Sequence, residues 1–123
     1  MKYSKLFLGY FNRLDHAVQG ELSYDYNVSA IVGMQTSQDA LQLFLTISDD
    51  IVTIAHYKVT GMPAVYAAAE YICGWLEGRS VSNIKEALCQ EAILGALALD
   101  QRYIHIASLV YHVVMQCLRN HIK

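Results

Sequence analysis

The sequence predicts an α+β domain: an N-terminal helix, a three-stranded antiparallel sheet, then helices packed on one face of it, the last one long. Three observations predict it. Apolar residues recur at helical spacing over 3–14, alternate with polar residues over 21–32, 40–47 and 51–59, and return to helical spacing from residue 64 onward. The strand-like stretches follow one another with short connections, which favours an antiparallel meander. Strands and helices segregated along a chain give an α+β arrangement, with the helices on one side of the sheet.

Each element has its own signal. Over 3–14, Leu6, Phe7, Tyr10, Phe11 and Leu14 share one helical face. Over 21–32, Leu22, Tyr24, Tyr26, Val28, Ala30 and Val32 point one way, while Glu21, Ser23, Asp25, Asn27 and Ser29 point the other, as in a half-buried strand. Leu41, Leu43, Leu45 and Ile47 line one face of the second strand. Ser48, Asp49 and Asp50 make a turn, and 51–59 is rich in β-branched residues. Residues 64–77 form an Ala-rich helix, with Glu70 and Glu77 seven apart on an outward stripe, and Gly78 stands where a helix C-terminus wants glycine. Ser80 caps a short helix at 81–88, and 90–98 is a further helical stretch. On the last helix, 103–120, the polar residues His105, Ser108, His112, Gln116 and Arg119 fall three or four apart in one narrow stripe. Such a helix is buried on most sides or offers an apolar flank to a partner.

Composition narrows the function. With 123 residues and no linker, 1–123 is a single domain. The apolar share of 54% against 16% charged excludes a disordered chain and leaves apolar surface for a partner. A net charge of −2 without a basic block argues against nucleic-acid binding. No apolar run approaches the roughly 18–20 residues needed to span a membrane. The opening MKYSKLFLGYFNRL lacks a small-residue cleavage site and reads as a helix, not a signal peptide. Cys73, Cys89 and Cys117 are an odd number without a CxxC pair, so they form neither a disulfide framework nor a zinc motif. Free thiols of this kind suit the cytoplasm, and buried, inert cysteine is the expectation for each. The tyrosines at strand and helix positions, Tyr24, Tyr26, Tyr66 and Tyr71, are expected to pack in the core.

Three segments in order along nearly the whole chain resemble one family. The first is Val32-Gly33-Met34-Gln35-Thr36-Ser37-Gln38-Asp39, leading into LQLFLTI. The second is Tyr57-Lys58-Val59-Thr60-Gly61-Met62-Pro63-Ala64, followed by an Ala-rich helix ending Gly74-Trp75-Leu76-Glu77-Gly78-Arg79-Ser80. The third is Leu99-Asp100-Gln101-Arg102-Tyr103-Ile104-His105-Ile106. Together with Tyr3-Ser4 and Tyr10-Phe11, they resemble the U-type iron–sulfur cluster assembly scaffolds, known as IscU or the N-terminal domain of NifU. The Trp-x-x-Gly-Arg-Ser segment, at a fixed distance from Thr60-Gly61, is the most specific part.

The resemblance implies a metal site that this chain has lost. Members hold a [2Fe–2S] cluster or zinc with three cysteines, helped by an aspartate and a histidine. At the cysteine positions this chain has Ser37, Met62 and Ile106, and only Asp39 and His105 remain. Thiolate is the ligand such sites require. A hydroxyl is hard and mostly protonated, a thioether is neutral, and isoleucine has no donor. Cys73 and Cys117 each stand eleven residues beyond a lost position, roughly 16 Å along a helix at 1.5 Å per residue. Sulfur acceptance from a desulfurase also needs a thiolate. The family's Leu-Pro-Pro-Val-Lys, the grip of an Hsp70-type chaperone, reads Leu99-Asp100-Gln101-Arg102-Tyr103 here, with both prolines gone.

The expectation is therefore a non-catalytic, cluster-free interaction or regulatory protein, with no cofactor and no enzymatic activity. Its expected partner is a cysteine desulfurase or another cluster-assembly component, or a second copy in a homo-oligomer. The alternative is a scaffold of altered ligation, in which Asp39 and His105 hold a cluster, iron or zinc with another subunit's ligand. Ser37, His105 and Asp39 also name the residues of a hydrolase triad, but no nucleophile elbow or glycine-rich oxyanion loop accompanies them. His112, on the stripe of His105, reads as part of a solvated face rather than as a histidine pair at a dimer interface.

Overall fold

The computed structural model describes residues 26–33, 40–61, 63–97 and 103–122. Strands β1 (Val28–Gly33), β2 (Ala40–Ser48) and β3 (Ile51–Thr60) form an antiparallel sheet in the order β1-β2-β3. Helices α1 (Pro63–Leu76), α2 (Val81–Ala87), α3 (Gln90–Ala96) and α4 (Ile104–Ile122) follow. This is the predicted α+β arrangement. The helix expected over 3–14, residues 21–25 of the first expected strand and residues 98–102 lie outside the described residues.

Alternation sets the inner face of the sheet. Val28 and Ala30 of β1, and Leu41, Leu43, Leu45 and Ile47 of β2, are all buried. On β3 the alternation breaks once. Thr46 pairs with Ile54 but Ile47 pairs with Val52, so Thr53 is an extra residue, and its hydroxyl donates to the Thr46 carbonyl at 3.2 Å. A bulge of this kind resets which side chains share a face. Val52 therefore joins Ala55 and Tyr57 on the buried face, while Ile51 and Ile54 are left exposed on the other. The hairpin before it turns through Asp49 and Asp50, both in the left-handed region with φ of 53° and 62°. Two consecutive left-handed residues give the turn whose twist matches that of the paired strands.

The sheet opens at Asn27, whose side chain imitates a strand. Its Nδ2 donates to the Ile47 carbonyl at 2.7 Å, and its Oδ1 accepts from the Ile47 amide at 2.9 Å. Tyr26 does not pack in the core as expected. It is 44% exposed, with its ring edge-on to Phe44 at 4.9 Å, because it precedes the regular strand. Tyr66 and Tyr71 are half-buried against the core, and the Tyr66 hydroxyl donates to the Val59 carbonyl.

Helix α1 packs on β3, and α4 lies across β1 and β2. The turn after α1 also ties back to the sheet. Gly78 has φ +90° and donates its amide to the Val52 carbonyl at 2.7 Å, a conformation that favours glycine. The Val52 amide in turn donates to the Arg79 carbonyl, and Val81 donates to Asp50. The Arg79 guanidinium lies 3.9 Å from the centre of the Trp75 ring, and its Nε donates to the Trp75 carbonyl. The Trp-x-x-Gly-Arg-Ser segment is thus a structural clamp between helix end and sheet edge. Ser80 caps α2 by accepting from the Asn83 amide, as predicted.

Helix α4 is buried on most sides, as its narrow polar stripe implied. Ile106, Ala107, Leu109, Val110, Val113, Val114, Cys117 and Leu118 are all buried, while His112 and Arg119 are exposed. Among the described residues, no helix is long and apolar enough to cross a membrane.

Candidate functional site

The pairs Gly33–Ala40 and Ala40–Thr60 place the end of β1, the start of β2 and the end of β3 at one end of the sheet. The first residues of α4 belong to the same end. At its far end, Asn120 donates to the Ser29 carbonyl and His121 lies 3.7 Å from Asp50 in the β2–β3 turn. Sixteen residues of helix separate His105 from His121, about 24 Å at 1.5 Å per residue, so His105 and Ile106 lie toward the opposite pole. Of the sequence-predicted site residues, Ser37, Asp39 and Met62 lie outside the described residues. His105 and Ile106 are described.

These two neighbours have different fates. His105 is half-buried on the polar stripe. Ile106 is 1% exposed and belongs to the main apolar core. Successive helical residues point about 100° apart, which carries one to the rim and the other inward. The buried direction runs along the helix through Ile106, Val110, Val113 and Cys117.

Cys117 reports what that face does to sulfur. Its thiol is buried, contacts the Leu43 carbonyl at 3.7 Å, and is pushed up to about 12 by burial. Cys73 on α1 is also fully buried, and its thiol is raised well above the ordinary value by burial, then by the carboxylates of Glu70 and Glu77 and by Cys117. Cys89 departs from the expected burial. It is exposed at the start of α3, where the chain is extended between two short helices.

Glu70 and Glu77 do not form an outward stripe. Glu70 is 5% exposed and accepts a hydrogen bond from the Tyr57 hydroxyl at 3.2 Å. Glu77 accepts from the Ala55 amide at 3.0 Å through Oε2. Both therefore turn toward β3. A phenol and a backbone amide of the sheet provide donors that offset the desolvation of the carboxylates. The Tyr57 phenol is held above its ordinary range, first by burial and then by the Glu70 carboxylate. No local signal marks this face, since apolar residues surround Glu70 on every side of the helix.

Among the described residues, no three His, Cys, Asp or Glu side chains gather closely enough to share a metal ion. His112 is exposed, with Nδ1 2.7 Å from the Ser108 carbonyl. The Ser108 hydroxyl also lies 3.2 Å from the same nitrogen, so this side of the ring is engaged within its own helix.

The fold has clear structural relatives. The N-terminal part of a nitrogen-fixing NifU-like protein from Brucella abortus superposes with a TM-score of 0.76, covering 95% of this chain and 92% of the relative, at 15% identity. This chain has the U-type scaffold fold. A candidate iron–sulfur cluster assembly scaffold protein for the SUF system from Fervidobacterium islandicum AW-1 superposes equally well, with a TM-score of 0.76, 94% and 96% coverage and 10% identity. A hypothetical protein solved at 2.3 Å shares the same scaffold fold more loosely, with a TM-score of 0.61, 93% and 97% coverage and 14% identity. No family model matches the sequence, and no curated protein matches it. The overall fold is thus shared at identities of 10–15%.

Proposed function

We propose that this chain is a cluster-free interaction protein built on the U-type scaffold fold, acting on cluster-assembly components rather than carrying a cluster. The observation that carries this reading is Ile106, a hydrocarbon with 1% exposure at a position where the family resemblance calls for a thiolate. A buried hydrocarbon at this position offers no donor to a metal. A [2Fe–2S] cluster or a zinc ion does not fit a donor set of hydroxyl, thioether, carboxylate and imidazole, because both need thiolates or four good ligands. Neither Cys73 nor Cys117 offers a ready substitute, since both are buried in the apolar core and burial raises both thiols. The structural relatives are of the scaffold type, which supports a binding role over catalysis. A cysteine desulfurase is the first partner to test, as the component that would dock on the same fold.

The test is metal and acid-labile sulfide analysis of anaerobically purified protein, beside the triple variant Ser37→Cys, Met62→Cys, Ile106→Cys. The expected result is substoichiometric metal in the natural chain and a gain in the variant. Stoichiometric iron and sulfide in the natural chain, lost on Asp39→Ala or His105→Ala, would establish the altered-ligation scaffold instead.

A further inference from the structure

We draw no further inference here: the strongest candidate, the exposed apolar patch of Ile31 on β1 and Ile54 on β3 at the outer face of the sheet, carries no proposal because nothing in the structure shows what covers it.

Discussion

Cys117 and Cys89 bear the same side chain in opposite surroundings. The Cys117 thiol is sealed against Leu43 and pushed up to about 12, while Cys89 is open to solvent. Alkylation of the native protein near pH 8 should therefore modify Cys89 first, with Cys73 and Cys117 reacting only on unfolding. Mass mapping of the modified sites checks this, and fast labelling of Cys117 in folded protein would contradict the packing described. Tyr57 and Glu70 form the other residue-scale pair. Tyr57→Phe keeps the ring but deprives a buried carboxylate of a donor, and should cost about 1–3 kcal/mol in urea unfolding. The sequence placed Glu70 outward because a charged residue on an alanine-rich helix ordinarily faces water. The phenol that accommodates it comes from a strand 13 residues earlier, a contact that no local pattern contains.

At the scale of elements, strands and helices were legible from periodicity because β2, β3 and α1–α4 each bury one face. The boundaries of β2 and β3 agree to a residue with the alternation. The bulge at Thr53 was not legible, since β-branched residues occupy both faces of β3 and the alternation is not clean there. The hairpin at Asp49 and Asp50 holds two non-glycine residues at positive φ. The double substitution Asp49→Asn, Asp50→Gly, which puts the favoured Asn-Gly pair into this turn, should stabilise the protein by about 0.5–1 kcal/mol in thermal unfolding. The contact of Asp50 with His121 is exposed enough that its loss subtracts little. Gly78→Ala should act in the opposite sense. Space is open around the added Cβ, but φ of +90° costs an L residue about 1–2 kcal/mol.

Across the whole molecule, the groups that titrate high are gathered where the sheet meets α1 and α4. Cys73, Cys117 and Tyr57 all ionise less readily in the folded protein than in the unfolded chain. Below the ordinary thiol value of 9.0 both states keep these protons, and the contribution to stability is constant. Above it the unfolded chain loses protons that the fold retains, so stability falls as pH rises, for Cys117 until about 12. Thermal midpoints measured from pH 7 to 11 should be flat below about 9 and then decline. Cys117→Ala should make the decline shallower. A midpoint that rises with pH over this window would contradict the burial of all three groups.

The sequence by itself determined the α+β class, the order of the described elements, the inward face of β2, the caps at Ser80 and Gly78, and the absence of cysteine at positions 37, 62 and 106. These follow from short-range periodicity, backbone preference and the identity of side chains, all of which are written along the chain. Only the tertiary structure decided that Ile106 belongs to the core, that Glu70 and Glu77 turn toward β3, and that the turn after α1 bonds to the outer edge of β3 at Val52. Each of these depends on which group arrives from a distant part of the chain to exclude water or complete a hydrogen bond, and local periodicity does not encode such arrivals.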